Sequence, residues 1–111
     1  MRAFVTGGGG FLGKAVIKQL LARGYEVISY SRSDYPELKT MSVKHILGDM
    51  NESDKLIEAM RGSDVVFHIA AKAGIWGKYD DFYNANVIGT ENILNACQKL
   101  GIKKLVYTST P

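Results

Sequence analysis

Near its start the sequence reads Val5-Thr6-Gly7-Gly8-Gly9-Gly10-Phe11-Leu12-Gly13, in which Gly7, Gly10 and Gly13 recur at every third position. A glycine gives up more backbone freedom on folding than any other residue, so a run of them needs a use that only bare backbone supplies. Anion binding is such a use. Glycines let the main chain approach a pyrophosphate, and the N–H groups at the start of a following helix point at it. The flanking residues agree with this reading. Residues 1–6 form a short apolar run, and Leu12, Ala15, Val16 and Leu20 recur at helical spacing. Together they predict strand, glycine turn and helix, the context in which such a pattern points to a dinucleotide. The spacing alone does not assign Gly8 and Gly9.

Other residues could also do chemistry. Ser31 and Arg32 close the next apolar run, where a fold that selects NAD places an acid to hold the ribose hydroxyls. A hydroxyl donor and a guanidinium suit a 2′-phosphate instead, which points to NADP. Thr108, Ser109 and Thr110 end the last apolar run, and in a parallel sheet the carboxyl ends of strands face the ligand crevice. Asn86 is an amide inside the longest helical pattern, an unfavourable place for a residue that prefers caps and turns. His68 ends a buried strand and reads as a hydrogen-bonded structural histidine; for His45 no partner is apparent. Trp76, flanked by glycines, is either a wall of the substrate pocket or a loop aromatic folded onto the core. No metal ligand is assigned.

The elements that must position these residues follow from pattern and composition. A chain of 111 residues, 46% hydrophobic and 23% charged, makes one globular domain. Lys and Arg exceed Asp and Glu by 14 to 11, too small and dispersed a surplus for nucleic acid, although it suits an anionic small molecule. Cys97 is the single cysteine; it forms no disulfide framework and reads as a small core hydrophobe in a reducing, cytoplasmic setting. No signal peptide or membrane-length apolar run is present. The first helix, over residues 11–21, stops at Gly24, and residues 25–31 form a second strand. A polar loop with a short helical turn follows, then a third strand in VKHILGD. NESDKLIEAMRG is a helix with Ser53 as N-cap and Gly62 as its stop. DVVFHIAA is a strand buried on both faces. After the loop KAGIWGKYD come a helix over residues 81–100, stopped by Gly101, and a fifth strand in KKLVYTST. This alternation predicts an α/β fold with a doubly wound parallel sheet.

The segments TGGGGFLG, GDMNESD, HIAA, NVIGT and LVYTST occur in the order and spacing of the N-terminal half of extended short-chain dehydrogenases/reductases. The stretch from HIAAKAGIWG to VYTSTP resembles, more narrowly, the 3β-hydroxysteroid dehydrogenase/isomerase-like branch. Within that branch it is similar to the bacterial 2-alkyl-3-oxoalkanoate reductases, which share the AKAGIWG loop. The resemblance implies a Rossmann NAD(P)-binding domain spanning residues 1–111, with Gly7, Gly10, Phe11, Leu12 and Gly13 at the cofactor. Asp49 would accept a hydrogen bond from the adenine amino group, with Met50 beside the ring. Ala70 and Ala71 would lie along the nicotinamide-side ribose, with Thr108 near the cofactor. Thr110 would bind the substrate carbonyl, and Asn86 would support the proton relay. It further implies a keto or hydroxy substrate that is lipid-like or steroid-like, NADP or NAD as cofactor, and a homodimer formed partly through the helix over residues 81–100.

The family's acid/base pair is a tyrosine followed four residues later by a lysine. Tyr35 and Lys39 have that spacing, but they follow the second strand and Pro36 breaks the helix that should carry them. The pair is therefore expected beyond Pro111, and the chain reads as the N-terminal part of a longer reductase, inactive by itself. Its fifth strand would then be an apolar sheet edge open to association. Two other readings compete: a nucleotide-sugar epimerase or dehydratase, which usually keeps an acid where Ser31 and Arg32 stand, and a non-catalytic dinucleotide sensor, which needs neither Asn86 nor Thr110.

Overall fold

Ala3, Phe4 and Val5 are consecutive and all 0% exposed, which a strand achieves only when both of its faces are covered. In the computed structural model, which describes residues 1–70 and 87–109, this segment is the centre of a sheet. Its strands are β1 (Arg2–Thr6), β2 (Glu26–Ser31), β3 (Lys44–Leu47), β4 (Val65–Ala70) and β5 (Lys104–Ser109). All neighbours pair in parallel, in the order β3-β2-β1-β4-β5.

Helices α1 (Phe11–Ala22) and α2 (Pro36–Lys39) cover one face, and α3 (Ser53–Met60) and α4 (Gly89–Leu100) the other. Alternating strand residues divide between them. Val5 and Val27 pack with Ile17 and Leu20 of α1, while Phe4 and Ile28 pack with Leu56 and Met60 of α3 and Ile93 and Ala96 of α4. Cys97 lies in this second cluster at 6% exposure, and burial pushes its thiol up from the usual range, which leaves it a core residue as expected. This is the doubly wound sheet that the sequence predicts.

Gly24, Gly62 and Gly101 turn the chain out of α1, α3 and α4 with positive φ. Ser53 departs from expectation. Glu52 occupies the N-cap and Ser53 is the first helical residue, because the Glu52 carboxylate is engaged by the approaching chain, accepting from the Asp49 N–H at 2.9 Å. The described part of the predicted helix over residues 81–100 is α4, and Ile88 before it already has helical angles. β5 lies at the sheet edge, with Val106 41% and Tyr107 50% exposed. Among the described residues no helix is long and apolar enough to cross a membrane.

Gly7 fixes where the site can form. Its φ is +72°, and a Cβ there would run into the Ile69 carbonyl oxygen of β4. A Cβ on Gly13, one turn into α1, would strike the Gly7 carbonyl. The start of α1 is thereby seated directly over the carboxyl ends of β1 and β4.

The two-face packing predicts a contrast between two leucines. Leu56→Ala removes a side chain that is 0% exposed and should cost about 2–5 kcal/mol of stability. Leu94→Ala, at a position 46% exposed on α4, should change it by about 0.5 kcal/mol or less. Urea unfolding of both variants checks this, and equal losses would contradict the assigned core.

Candidate cofactor site

Gly10 is the N-cap of α1, with extended backbone and no side-chain cap. The first turn closes with Gly10 N–H donating to the Gly7 carbonyl at 3.2 Å and Lys14 N–H to the Gly10 carbonyl at 2.9 Å. The N–H groups of Phe11, Leu12 and Gly13 precede that first intrahelical bond and carry the positive end of the helix dipole. A Cβ on Gly10 would meet only the Gly7 carbonyl, at 3.7 Å, an ordinary contact. Internal packing therefore does not require glycine at Gly10, and a side chain there would occupy the open approach to those N–H groups. Phe11 is 95% exposed, so its contribution to such a site is its N–H rather than a packed ring; Leu12 packs against the α1-side core.

Beneath the turn lies a buried polar chain. Thr6 and His68 are register partners in β1 and β4, with Thr6 Oγ1 2.7 Å from His68 Nδ1. The Ile69 N–H donates to the same Thr6 oxygen at 3.2 Å, and His68 Nε2 lies 2.9 Å from Thr90 Oγ1 on α4. A hydroxyl donates once and accepts twice, so Thr6 and Thr90 can each serve the ring nitrogen they face whichever one carries the proton. Burial pushes the His68 pKa down to about 4, so the ring is neutral at physiological pH. His68 is hydrogen-bonded on both nitrogens, as its structural reading requires.

After β3 the backbone at Asp49 and Met50 is held from three sides. Tyr30 Oη donates to the Asp49 carbonyl at 2.9 Å; burial, with Glu52 and Asp49 adding negative charge, pushes its pKa up to about 12, which keeps it a donor. Asn92 Nδ2 on α4 donates to the Met50 carbonyl at 2.7 Å, and Asp49 N–H is held by Glu52. Asp49 Oδ1 accepts from the Asn51 N–H at 2.9 Å. Its other carboxylate oxygen has no partner among the described residues and is free to accept from a ligand. Met50 packs on α4 where Gly89 leaves room, 3.2 Å from the site of a Cβ. Sequence reasoning missed Tyr30 and Asn92; Asn92 is one of several amides in the helical pattern over residues 81–100, and nothing local singles it out.

At the end of β2, Ser31 Oγ donates to the Ser33 carbonyl at 2.7 Å, so its proton is used within the turn. Arg32 is exposed and makes no hydrogen bond or ion pair among the described residues. His45 does have partners, in Ser29, Ser31 and Ser33. Tyr35 lies with its ring against Gly9, and Lys39 pairs with Asp34 at 3.2 Å, so this pair is engaged elsewhere. The Ala70 backbone pairs with Ser109 at the ends of β4 and β5, and Thr108 Oγ1 is buried without a hydrogen-bond partner among the described residues. Ala71, Trp76, Asn86 and Thr110 lie outside the described residues.

The family model of the 3-beta hydroxysteroid dehydrogenase/isomerase family matches residues 4–111. The chain belongs to this family. It is 52% identical, over all 111 residues, to the 2-alkyl-3-oxoalkanoate reductase of Stenotrophomonas maltophilia, covering 34% of that protein. Among solved structures, MoeE5 in complex with UDP-glucuronic acid and NAD superposes with a TM-score of 0.84 at 29% identity, over 96% of this chain and 36% of that one. The UDP-N-acetylglucosamine 4-epimerase from Bacillus cereus gives 0.83 at 33% identity, over 99% and 37%. The chain thus spans about a third of the length of these relatives. As a member of this 3-beta hydroxysteroid dehydrogenase/isomerase family it is an extended short-chain dehydrogenase/reductase with a Rossmann fold.

The titration of His68 gives a pH test. The ring takes up a proton near 6.5 in the unfolded chain and near 4 in the folded one, so between these values the unfolded state binds the extra proton. Stability is fully present above about pH 6.5 and falls on acidification, losing about 3 kcal/mol by pH 4. His68→Gln should flatten that limb although it lowers stability at pH 7. Urea unfolding at pH 7 and pH 4.5 measures the difference; parallel acid losses in both proteins would assign the limb to other groups.

Proposed function

We propose that these residues form the cofactor-binding part of an NADP-dependent oxidoreductase that interconverts keto and hydroxyl groups on a lipid-like substrate. A 2-alkyl-3-oxoalkanoate is the example, taken from the name of the 52% identical relative. The observation that carries the NADP assignment is Arg32: an exposed cation without a partner among the described residues, at the carboxyl end of β2, where selection of NAD calls for an acid.

The residues fit the cofactor piece by piece. The N–H groups of Phe11, Leu12 and Gly13 take the pyrophosphate, with Gly7 and Gly10 leaving the approach clear. The free Asp49 oxygen accepts from the adenine amino group, and Met50 lines the ring. Arg32 pairs with the 2′-phosphate, and Ser31 donates to it when its hydroxyl rotates away from the Ser33 carbonyl, which His45 continues to hold. Ala70, Ala71 and Thr108 border the nicotinamide end, Thr110 polarises the substrate carbonyl, and Asn86 supports the proton relay. Bound NADP supplies hydride transfer; these side chains and amides hold it and direct it. A cytoplasmic homodimer built across α4, whose Leu94 is 46% exposed, accompanies this reading.

Arg32→Ala should weaken NADPH binding about 10- to 100-fold and change NADH binding about twofold or less. Titration of nicotinamide fluorescence with each dinucleotide decides it. A native preference for NADH, or an equal loss for both, would remove the NADP assignment and favour the NAD-retaining epimerase reading.

A further inference from the structure

The α1-side face of the sheet carries a hydrogen-bonded polar cluster on β2 and β3. Ser29 and Ser31 of β2 and His45 of β3 share that face, with Ser29 and His45 as register partners. His45 Nε2 lies 2.9 Å from the Ser33 carbonyl, an acceptor only, so the proton sits on Nε2 and Nδ1 accepts from the Ser29 hydroxyl at 3.1 Å. Ser29 is fully buried directly under the glycine turn, where a Cβ on Gly8 would come 3.1 Å from its Oγ. The edge of the imidazole also meets Tyr35, ring centroids 6.2 Å apart, and the Tyr35 ring lies against Gly9. One side chain therefore braces the glycine turn through Ser29 and Tyr35, and the turn bearing Arg32 through Ser33.

We propose that His45 is a positioning residue for recognition of the 2′-phosphate: it fixes the Arg32 turn relative to the glycine turn, so that an otherwise unrestrained arginine meets the phosphate of a dinucleotide seated there. This rests on the NADP reading above. Arg32 has no side-chain partner among the described residues, so its backbone is what orients it. The Ser33 carbonyl is where that backbone is anchored, by His45 and by Ser31 at 2.7 Å. A pre-positioned cation loses less conformational freedom on binding than a free one.

Adenosine 2′,5′-bisphosphate and adenosine 5′-monophosphate differ only in the group at issue, and calorimetric titration of the protein with each reads the discrimination directly. His45→Asn keeps a group near Ser29 but is too short for Ser33; it should reduce the affinity ratio about tenfold, with the monophosphate changed about twofold or less. His45→Gln, long enough to donate to Ser33, should restore most of the ratio. Thermal melts of each variant record the fold. An unchanged ratio in His45→Asn while Arg32→Ala abolishes it would overturn the role of His45 alone, as would equal weakening of both ligands in step with lost stability. An unchanged ratio in Arg32→Ala would overturn the NADP reading and this inference with it.

Discussion

The contact on which the rest of the structure depends is between pieces of bare backbone. Gly7, held at φ +72°, presses against the carbonyl of Ile69, and Gly13 lies against the carbonyl of Gly7. With no side chain between them, the start of α1 sits on the ends of β1 and β4 and not a side chain's width above. That closeness puts the N–H groups of Phe11, Leu12 and Gly13 at the mouth of the crevice where strand ends converge. It also explains the hydroxyl at Thr6. The β1–β4 register ends at the Thr6–His68 pair, and the next β4 amide, that of Ile69, is met by Thr6 Oγ1 because the chain has already turned away into the glycines.

The buried polar groups around this contact share one property: each is held neutral. His68 is pushed down to about 4 and Tyr30 up to about 12, so neither is charged at physiological pH. Each can therefore anchor a loop through hydrogen bonds without the desolvation cost of a buried ion. The ion pairs are peripheral. Arg2–Glu26, Lys14–Glu37, Lys39–Asp34 and Arg61–Glu58 all have well-exposed partners and contribute little individually. Among the described residues no ion pair joins the buried polar chain beneath the glycine turn.

Which parts of this were legible in the sequence follows from the range of the interactions. Strand, helix and glycine turn are local patterns, and the periodicity of Leu12, Val16 and Leu20, or the adjacent apolar residues of DVVFHIAA, states them directly. The sheet order follows from connection rules that act on such patterns. What stayed hidden depends on register between separate elements. Gly8 has its explanation in Ile17 and Ser29, and Gly9 in Tyr35, side chains that only the fold brings against the turn. His45 looked isolated because its partners lie across a strand pair and a turn. Tyr30 and Asn92 act on a loop reached only through the crossover to β3 and from α4. The Ser53 cap failed for the same reason: a chain approach that local preference does not contain drew Glu52 into the capping position.

The same geometry divides the crevice into unlike halves. Toward β2 and β3 the crevice carries Ser31, His45 and Asp49, fixed by hydrogen bonds, and the exposed Arg32. Toward β4 and β5 they carry Ala70 and the Thr108 hydroxyl, flanked by an α1-side surface that presents Phe67 and the half-exposed Val106. A separate groove of about 370 Å³ lies toward the other end of α1, lined by Val16, Leu20, Tyr25 and Phe67 together with Gln19 and Arg23. On the NADP reading the division matches the two ends of the cofactor. The polyanionic adenosine end takes the half with donors and a cation, which leaves the ends of β4 and β5 to the other end. The order β3-β2-β1-β4-β5 produces this, because the chain reverses direction across the sheet at β1 and opens the crevice between β1 and β4, beneath the glycine turn.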